Sequence, residues 1–392
     1  MNQLNRHRFR IDYGIILTIF ILFVISMIAV YSTTVLINGG SIQATIMHFI
    51  WYVLGGFAIV LLLQFDAKKL WRLSLVAYIV GLLLLIAILF LYDRQLAAVS
   101  GARSWFRLGS FSFQPSEIAK ISLIIFLSRV VTQHNTTYRR RNVKTDWQLL
   151  VKIVAWTLPY LALVVLQNDL GTTLVIMAIV LGIVITSGIS AKILVPMISG
   201  VFLLGALLIY LTVNHRDILV FLGFKQYQFA RIDAWLDPFG AGYQNSYQLR
   251  NAIVAIATGG TFGKGIGVSE VHIPVRESDM IFSTIAENFG FIGSFAVIIV
   301  YFVLVYQLIR VCFTTKNEFY TYMSVGITSM IVFHVFENIG MNVGLLPLTG
   351  IPLPFISQGG TALVANLIAI GLILSMQYQI YGKKRVDENE HF

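Results

Sequence analysis

Cysteine is nearly absent. Cys312 is the only one in 392 residues, so an intrachain disulfide and a thiolate metal cluster are both excluded. Charge is scarce too: Asp, Glu, Lys and Arg make up 12% of the chain against 57% hydrophobic residues, a balance too apolar for a soluble globule. The strict alternation of a membrane barrel is missing, as are low-complexity stretches, a composition break that would mark a second domain, and an internal repeat. The formal net charge of +10 has no basic face behind it. Lys and Arg are scattered between apolar runs, which argues against a nucleic-acid partner and makes the charge a report on topology.

What the chain does have is a series of apolar runs of about 20 residues, each long enough to cross roughly 30 Å of hydrocarbon as a helix. The expected spans are Tyr13–Tyr31, Thr45–Leu63, Leu70–Tyr92, Pro115–Thr132, Leu149–Leu166, Leu170–Gly188, Ile193–Val213, Met280–Ile309, Tyr320–Met341 and Ser357–Tyr378. The fold class is therefore an all-α membrane protein of ten helices, one polytopic domain over residues 1–392, with a large external loop at about 214–279 between the seventh and eighth. With a cytoplasmic amino terminus, Lys68, Lys69, Arg72, Arg139–Arg141, Lys144, Lys192, Arg310, Lys316 and Lys383–Arg385 all fall inside, as the positive-inside rule requires. Both termini are then cytoplasmic and the chain sits in the plasma membrane. The run after the basic Met1–Arg10 stretch is a full span rather than a short signal core, so it is expected to stay as an anchor.

The interval Tyr227–Gly290 gathers Arg231, Asp233, Asp237, Lys264, Arg276, Glu277 and Asp279. Asp279 stands where polar loop turns into an apolar span. A carboxylate there is costly to desolvate and is expected to face water, a partner or a substrate. Pro115 suits a first helical turn, with Ser116 and Glu117 beside it at the positive helix end. Lys120, one turn on, shares a face with Glu117 and makes either a structural salt bridge or part of a polar cavity for an anionic headgroup. Asp169, in the turn Gln167-Asn168-Asp169, is placed to cap the next helix.

Three of the eight prolines, Pro347, Pro352 and Pro354, crowd into the stretch 345–363. No regular helix survives there, so the stretch is expected to be either a packed hairpin or a re-entrant segment before the tenth helix, facing the same site as Asp279. Ser357, Gln358, Gly359 and Gly360 could then offer donors to an anion. The glycine-rich run Thr258–Gly267 is no P-loop, because Gly265 follows Lys264 where Ser or Thr is needed. His334 and Glu337 share a helical face, but a pair is not a metal site. No catalytic Ser, His and Asp set is visible.

The motifs GARSWFRLGSFSFQPSEIAK, QNDLGTT, YQFARIDAWLDPFGAGYQ, GGTFGKG, ESDMIFSTIAENFG and NIGMNVGLLPLTGIPLPFISQGG follow one another along nearly the whole chain. In this the chain resembles the SEDS family of ten-helix peptidoglycan polymerases. It looks more like the elongation-type (RodA-like) branch than the division-type, in a form typical of lactic acid and related Gram-positive bacteria. The resemblance implies glycosyltransfer on lipid II at the outer membrane face, with Asp279 catalytic. It makes Glu117 and Lys120 functional, and Arg103, Trp105, Gln114, Ser116, Asp169, Arg231, Lys264, Ser357, Gly359 and Gly360 candidates for substrate contact. No metal ligand is assigned, a divalent cation being the one cofactor candidate. Partners implied are a class B penicillin-binding protein, which is a single-span transpeptidase, and other membrane proteins of an elongation complex. Gly290, Gly293 and Gly326 would let such a partner's helix approach closely.

Glu277-Ser278-Asp279-Met280 stands where the family commonly has His, Thr or Ser, Asp and Phe; Asn168 replaces a common Pro and Gln358 a common Tyr. The second acid is expected to raise the proton affinity of Asp279. The competing readings are a lipid II flippase, a division-type polymerase and a non-catalytic scaffold.

Overall fold

The computed structural model describes residues 12–40, 42–109, 111–223, 226–240 and 243–389. Each apolar run becomes a helix, because a backbone without water around it must hydrogen-bond to itself. Helix α1 (Tyr13–Tyr31) continues through a π turn to Ile37, and α2 (Gln43–Leu62) and α3 (Ala67–Leu91) follow. Asp12 and Asp66 start α1 and α3 by accepting from the amides of Gly14 and Lys69 at 2.9 and 2.8 Å, which satisfies donors that a helix start leaves free. A short α4 (Arg94–Ser100) leads to a hairpin of β1 (Phe106–Leu108) and β2 (Phe111–Phe113), with Phe106 opposite Phe113. Four helices come next: α5 (Pro115–Thr137), α6 (Val143–Leu166), α7 (Leu170–Thr186) and α8 (Ala191–Asn214).

The interval expected as one external loop contains α9 (Arg216–Phe221), α10 (Gln226–Leu236) and α11 (Tyr243–Thr258). The chain ends with α12 (Ile281–Thr314), α13 (Glu318–Asn342) and α14 (Gly360–Asn389).

All ten expected spans fall on helices. Among the described residues eight of them are long and apolar enough to cross a membrane; α7 is short, with 17 residues, and α5 is too polar. Helix α5 tolerates Glu117 and Lys120 because it lies inside the bundle, packed between α3, α13 and α14 and buried along most of its length. The apolar stretch of α14 is 83% buried and that of α8 only 6%, so one is core and the other rim.

Helix α12 is broken at Gly290, whose φ is +67°. A break in a membrane helix strands amides and carbonyls that need other partners, and the glycine-rich loop after α11 supplies them. Lys264 N and Gly265 N donate to the carbonyls of Glu287 and Asn288 at 2.9 and 3.1 Å, while Phe291 N and Ile292 N donate to Gly260 O and Thr261 O at 2.8 and 3.2 Å. A Cβ at Gly263 would lie 2.2 Å from Asn288 O. Glycine is needed there for backbone to meet backbone.

The same geometry corrects the expected partner interface. Gly290 packs on the backbone of Gly263, and a Cβ at Gly326 would lie 2.8 Å from Ile124 and 3.3 Å from Ile183. Both glycines serve contacts within the chain, so bulk at either position would damage the fold before it reached a partner. Gly293 is half-buried and meets only Phe289 of its own helix.

Candidate active site

The prolines of the stretch after α13 remove amides and prevent a helix, yet the segment is largely buried between Ile351 and Ser357. Its carbonyls are met one by one from neighbouring helices. Asn338 Nδ2 donates to Ile351 O at 2.8 Å, Tyr301 Oη to Pro354 O at 2.5 Å, Tyr52 Oη to Phe355 O, and Ser26 Oγ to Ile356 O at 2.7 Å. Unpaired polar backbone in such surroundings would cost several kcal/mol per group. Phe355 holds φ +64° within this net.

This segment braces the loop that carries Asp279. Gln358 N donates to Glu277 O at 2.8 Å and Ser357 Oγ to Ser278 O at 2.6 Å. Asn338 and Asn342 of α13 both donate to the backbone carbonyl of Asp279, at 2.8 and 3.0 Å. The main chain of residues 277–279 is thus fixed without using the Asp279 carboxylate. That side chain is half-buried, its Oδ1 is shielded with no hydrogen-bond partner among the described residues, and its Oδ2 receives a long 3.4 Å contact from Gln248 of α11. Burial pushes its pKa up to about 6; the Glu277 charge adds to the rise, and Gln248 and Arg231 oppose it. A carboxylate in that range can hold and release a proton near neutral pH.

The α5 start is tied to the starts of α7 and α14, the helix that follows this segment. Pro115 opens α5, and Gln114 before it donates from Nε2 to Asp169 Oδ2 at 2.9 Å and from its amide to Thr361 Oγ1 of α14 at 3.2 Å. Asp169 caps α7 through Thr172 N at 2.9 Å, and a Cβ on Gly171 would touch Ile351. The first turns of α5, α7, α12 and α14 therefore meet around one irregular segment, and helix starts carry partial positive charge. Below them Lys120 Nζ bridges Glu117 Oε1 at 2.9 Å and His334 Nε2 at 3.1 Å, all three side chains buried. Ser116 Oγ is buried with no partner among the described residues.

Several of the other expected site residues are engaged by neighbours within the chain. The Ser357 hydroxyl and the Gln358 amide are consumed by the Asp279 loop, so they are not free donors for an anion. Gly360 packs on Trp51, where a Cβ would lie 2.5 Å from the ring, while Gly359 is free of such crowding. Lys264 pairs with Glu270 at 2.7 Å and Glu287 at 3.6 Å, and Arg276, which sequence proximity could have joined to Asp279, pairs with Glu287 at 2.8 Å. Arg103 lies exposed over the Tyr92 ring, its amide donating to Gln167 O at 2.8 Å; half-buried Trp105 accepts from Asp93 N at 2.9 Å. His334 and Glu337 do not pair as ligands, since His334 turns to Lys120. Among the described residues no three of His, Cys, Asp or Glu converge on one point.

Residues 13–381 match the model of the FtsW, RodA and SpoVE cell cycle protein family. A protein of Nitrosomonas europaea named "Probable peptidoglycan glycosyltransferase FtsW" is 30% identical over 386 residues, 96% of this chain and 95% of that one. Stage V sporulation protein E of Bacillus subtilis is 31% identical over 281 residues, covering 71% and 72%. Among solved structures, a chain from work on a peptidoglycan synthase complex that coordinates polymerization and crosslinking superposes with a TM-score of 0.77 at 26% identity, covering 95% of this chain and 98% of that one. Thermus thermophilus RodA superposes at 0.68 and 24% identity, covering 96% and 99%, and shows the shared fold. With its full helical order, its braced acidic loop and a family match across nearly its whole length, the chain belongs to the SEDS family of FtsW, RodA and SpoVE cell cycle proteins.

Proposed function

We propose that the chain polymerises lipid II into glycan strands at the outer face of the plasma membrane, with Asp279 as general base. The observation that carries this reading is the Asp279 carboxylate itself, held by its main chain, half-buried, with one oxygen unpaired. The carboxylate takes the proton of the acceptor's 4-hydroxyl as that oxygen bonds to the anomeric carbon of the donor. The bond from that carbon to the polyprenyl pyrophosphate breaks in the same displacement, so configuration inverts and no enzyme nucleophile is needed, unlike the paired carboxylates of retaining glycosidases. Charge growing on the leaving pyrophosphate is met by cationic groups and helix starts around the site. Lys120 is supported in that role by its seat below the α5 start, and Arg231 by its influence on Asp279. Lys264 is weaker, since two carboxylates already hold it.

Ten crossings, both termini in the cytoplasm and the 214–279 interval outside complete the topology, supported by the charge asymmetry between runs. A single-span transpeptidase is the proposed partner, supported by the likeness to a synthase-complex chain. The motifs favour the elongation type, whereas the Nitrosomonas europaea relative carries a division-type name. Lateral or peripheral loss of new wall on depletion supports the first, and septal loss the second. The test of the function is purified protein in detergent with labelled lipid II, then the same protein in vesicles. Glycan strands support the polymerase; transfer between leaflets without polymer would make the buried Glu117, Lys120 and His334 group part of a flippase path instead.

A further inference from the structure

The Lys120 ammonium has a carboxylate beside it; farther along α5, toward its other end, two cations have none. Arg129 lies on α5 and Lys152 on α6, each roughly 12–14 Å along its helix from the end joined by the basic turn at 139–142. Among the described residues neither forms an ion pair. Asp146, on the same stretch of α6, is buried and accepts from Ser190 N at 2.9 Å. Both stand three residues inside the spans read from the sequence, near the membrane edge, where a cation without a counter-ion is costly unless it reaches water or an anion.

The two cations line one cavity of about 400 Å³ between α3, α5 and α6, with Leu75, Phe126, Val130 and Trp156 among its walls. Their aim is set by neutral neighbours. Arg129 Nη1 donates to Trp71 O and Ser74 Oγ, both at 3.2 Å, with its guanidinium 5.3 Å from the Trp71 ring. His134 is buried with Nε2 3.1 Å from Thr145 O, so the proton sits on Nε2 and Nδ1 accepts from Lys152 Nζ at 3.4 Å. A neutral imidazole positions the ammonium and leaves its charge unspent. Trp71 also lines a second hollow with Lys68 and Arg72, so tryptophan beside exposed base recurs at this end of the bundle, the arrangement of a membrane interface.

We propose that this cavity seats the phosphate of an anionic membrane lipid, its oxygens on Lys152 and Arg129 and its chains along Leu75, Phe126, Val130 and Trp156. Apolar side chains beside cations that lack a counter-ion fit a lipid phosphate better than a small anion, which would leave those side chains wet. The positive-inside reading makes the source the cytoplasmic leaflet. Two lipids offer this chemistry, a phospholipid and a polyprenyl phosphate, and the assignment here is the phospholipid.

The test is native mass spectrometry of the full detergent-purified chain titrated with phosphatidylglycerol, phosphatidylcholine and a polyprenyl phosphate. Phosphatidylglycerol is expected to bind ahead of phosphatidylcholine, with one site weakened about fivefold in Lys152→Gln, the size of one interfacial cation, and restored in Lys152→Arg. Arg129→Gln also frees the Trp71 carbonyl and could fail to fold, so the exposed Lys152 carries the test. Equal binding of the two phospholipids, or unchanged phosphatidylglycerol binding in Lys152→Gln, overturns the site. Displacement of phosphatidylglycerol by lower concentrations of polyprenyl phosphate overturns the phospholipid assignment.

Discussion

Asp279 and Glu287 are carboxylates on either side of the start of α12, and the protein treats them in opposite ways. Glu287 is fully buried, gripped by Arg276 at 2.8 Å and approached by Lys264 at 3.6 Å, and it receives the Glu270 amide at 2.9 Å. Asp279 is only half-buried, yet among the described residues no cation pairs with it and one oxygen has no partner. The buried pair fixes the loop, while burial lowers the Arg276 pKa and the Glu287 charge opposes that fall. The unpaired acid is left with a raised pKa. A carboxylate kept for proton transfer must be positioned by something other than its own oxygens, and here two asparagines hold its main chain instead.

The comparison can be broken most severely at Glu287. Glu287→Gln leaves Arg276 buried without a counter-charge and is expected to cost about 3–5 kcal/mol, read as lost yield and a large fall in melting temperature. Adding Arg276→Met should recover much of it; a melting temperature that stays low in the double variant would mean the pair does not act as a unit. Glu277→Gln sharpens the other side. Its backbone bond from Gln358 N remains, but a charge that raises the Asp279 pKa is gone, so the acid limb of the polymerisation rate should move to lower pH than the wild-type limb near 6. An unmoved limb would assign that limb to another group. The smallest effect belongs to Glu270→Gln, because the Glu270 side chain is 62% exposed where it meets Lys264; a change under about 1 kcal/mol is expected, and a larger loss would show the outer pair to be structural.

The sequence carried these two acids unequally. Asp279 could be picked out because a charge at the junction of polar loop and apolar run is visible in one dimension, as were Pro115 at a helix start, Asp169 as a cap, and Glu117 beside Lys120 one turn apart. Glu287 lies inside an apolar run, and its partners are set by how the glycine loop folds back on the break at Gly290, which no local pattern encodes. His334 reaching Lys120 across 214 positions is hidden for the same reason. The short α9, α10 and α11 are not legible as helices in the sequence because they lack membrane-length apolar runs. Gly326 is ambiguous in the sequence because a small residue serves a partner seam or an internal contact equally well until its neighbours, here Ile124 and Ile183, are known.

The most direct measurement takes Asp279→Asn at pH 7 and reads polymerisation and melting temperature from the same preparation. As base, Asp279 is required in its charged form, so the rate should fall by roughly 10²-fold to 10⁴-fold. The stability change has the opposite sign. Because the folded pKa is raised from 3.8 to about 6, the wild type loses stability as pH climbs through that interval; the variant should therefore melt higher than wild type at pH 7, with the difference fading toward pH 4. Lost activity with a higher melting temperature is the predicted result. Full activity would contradict the assignment, and lost activity with a lower melting temperature would make Asp279 a structural residue.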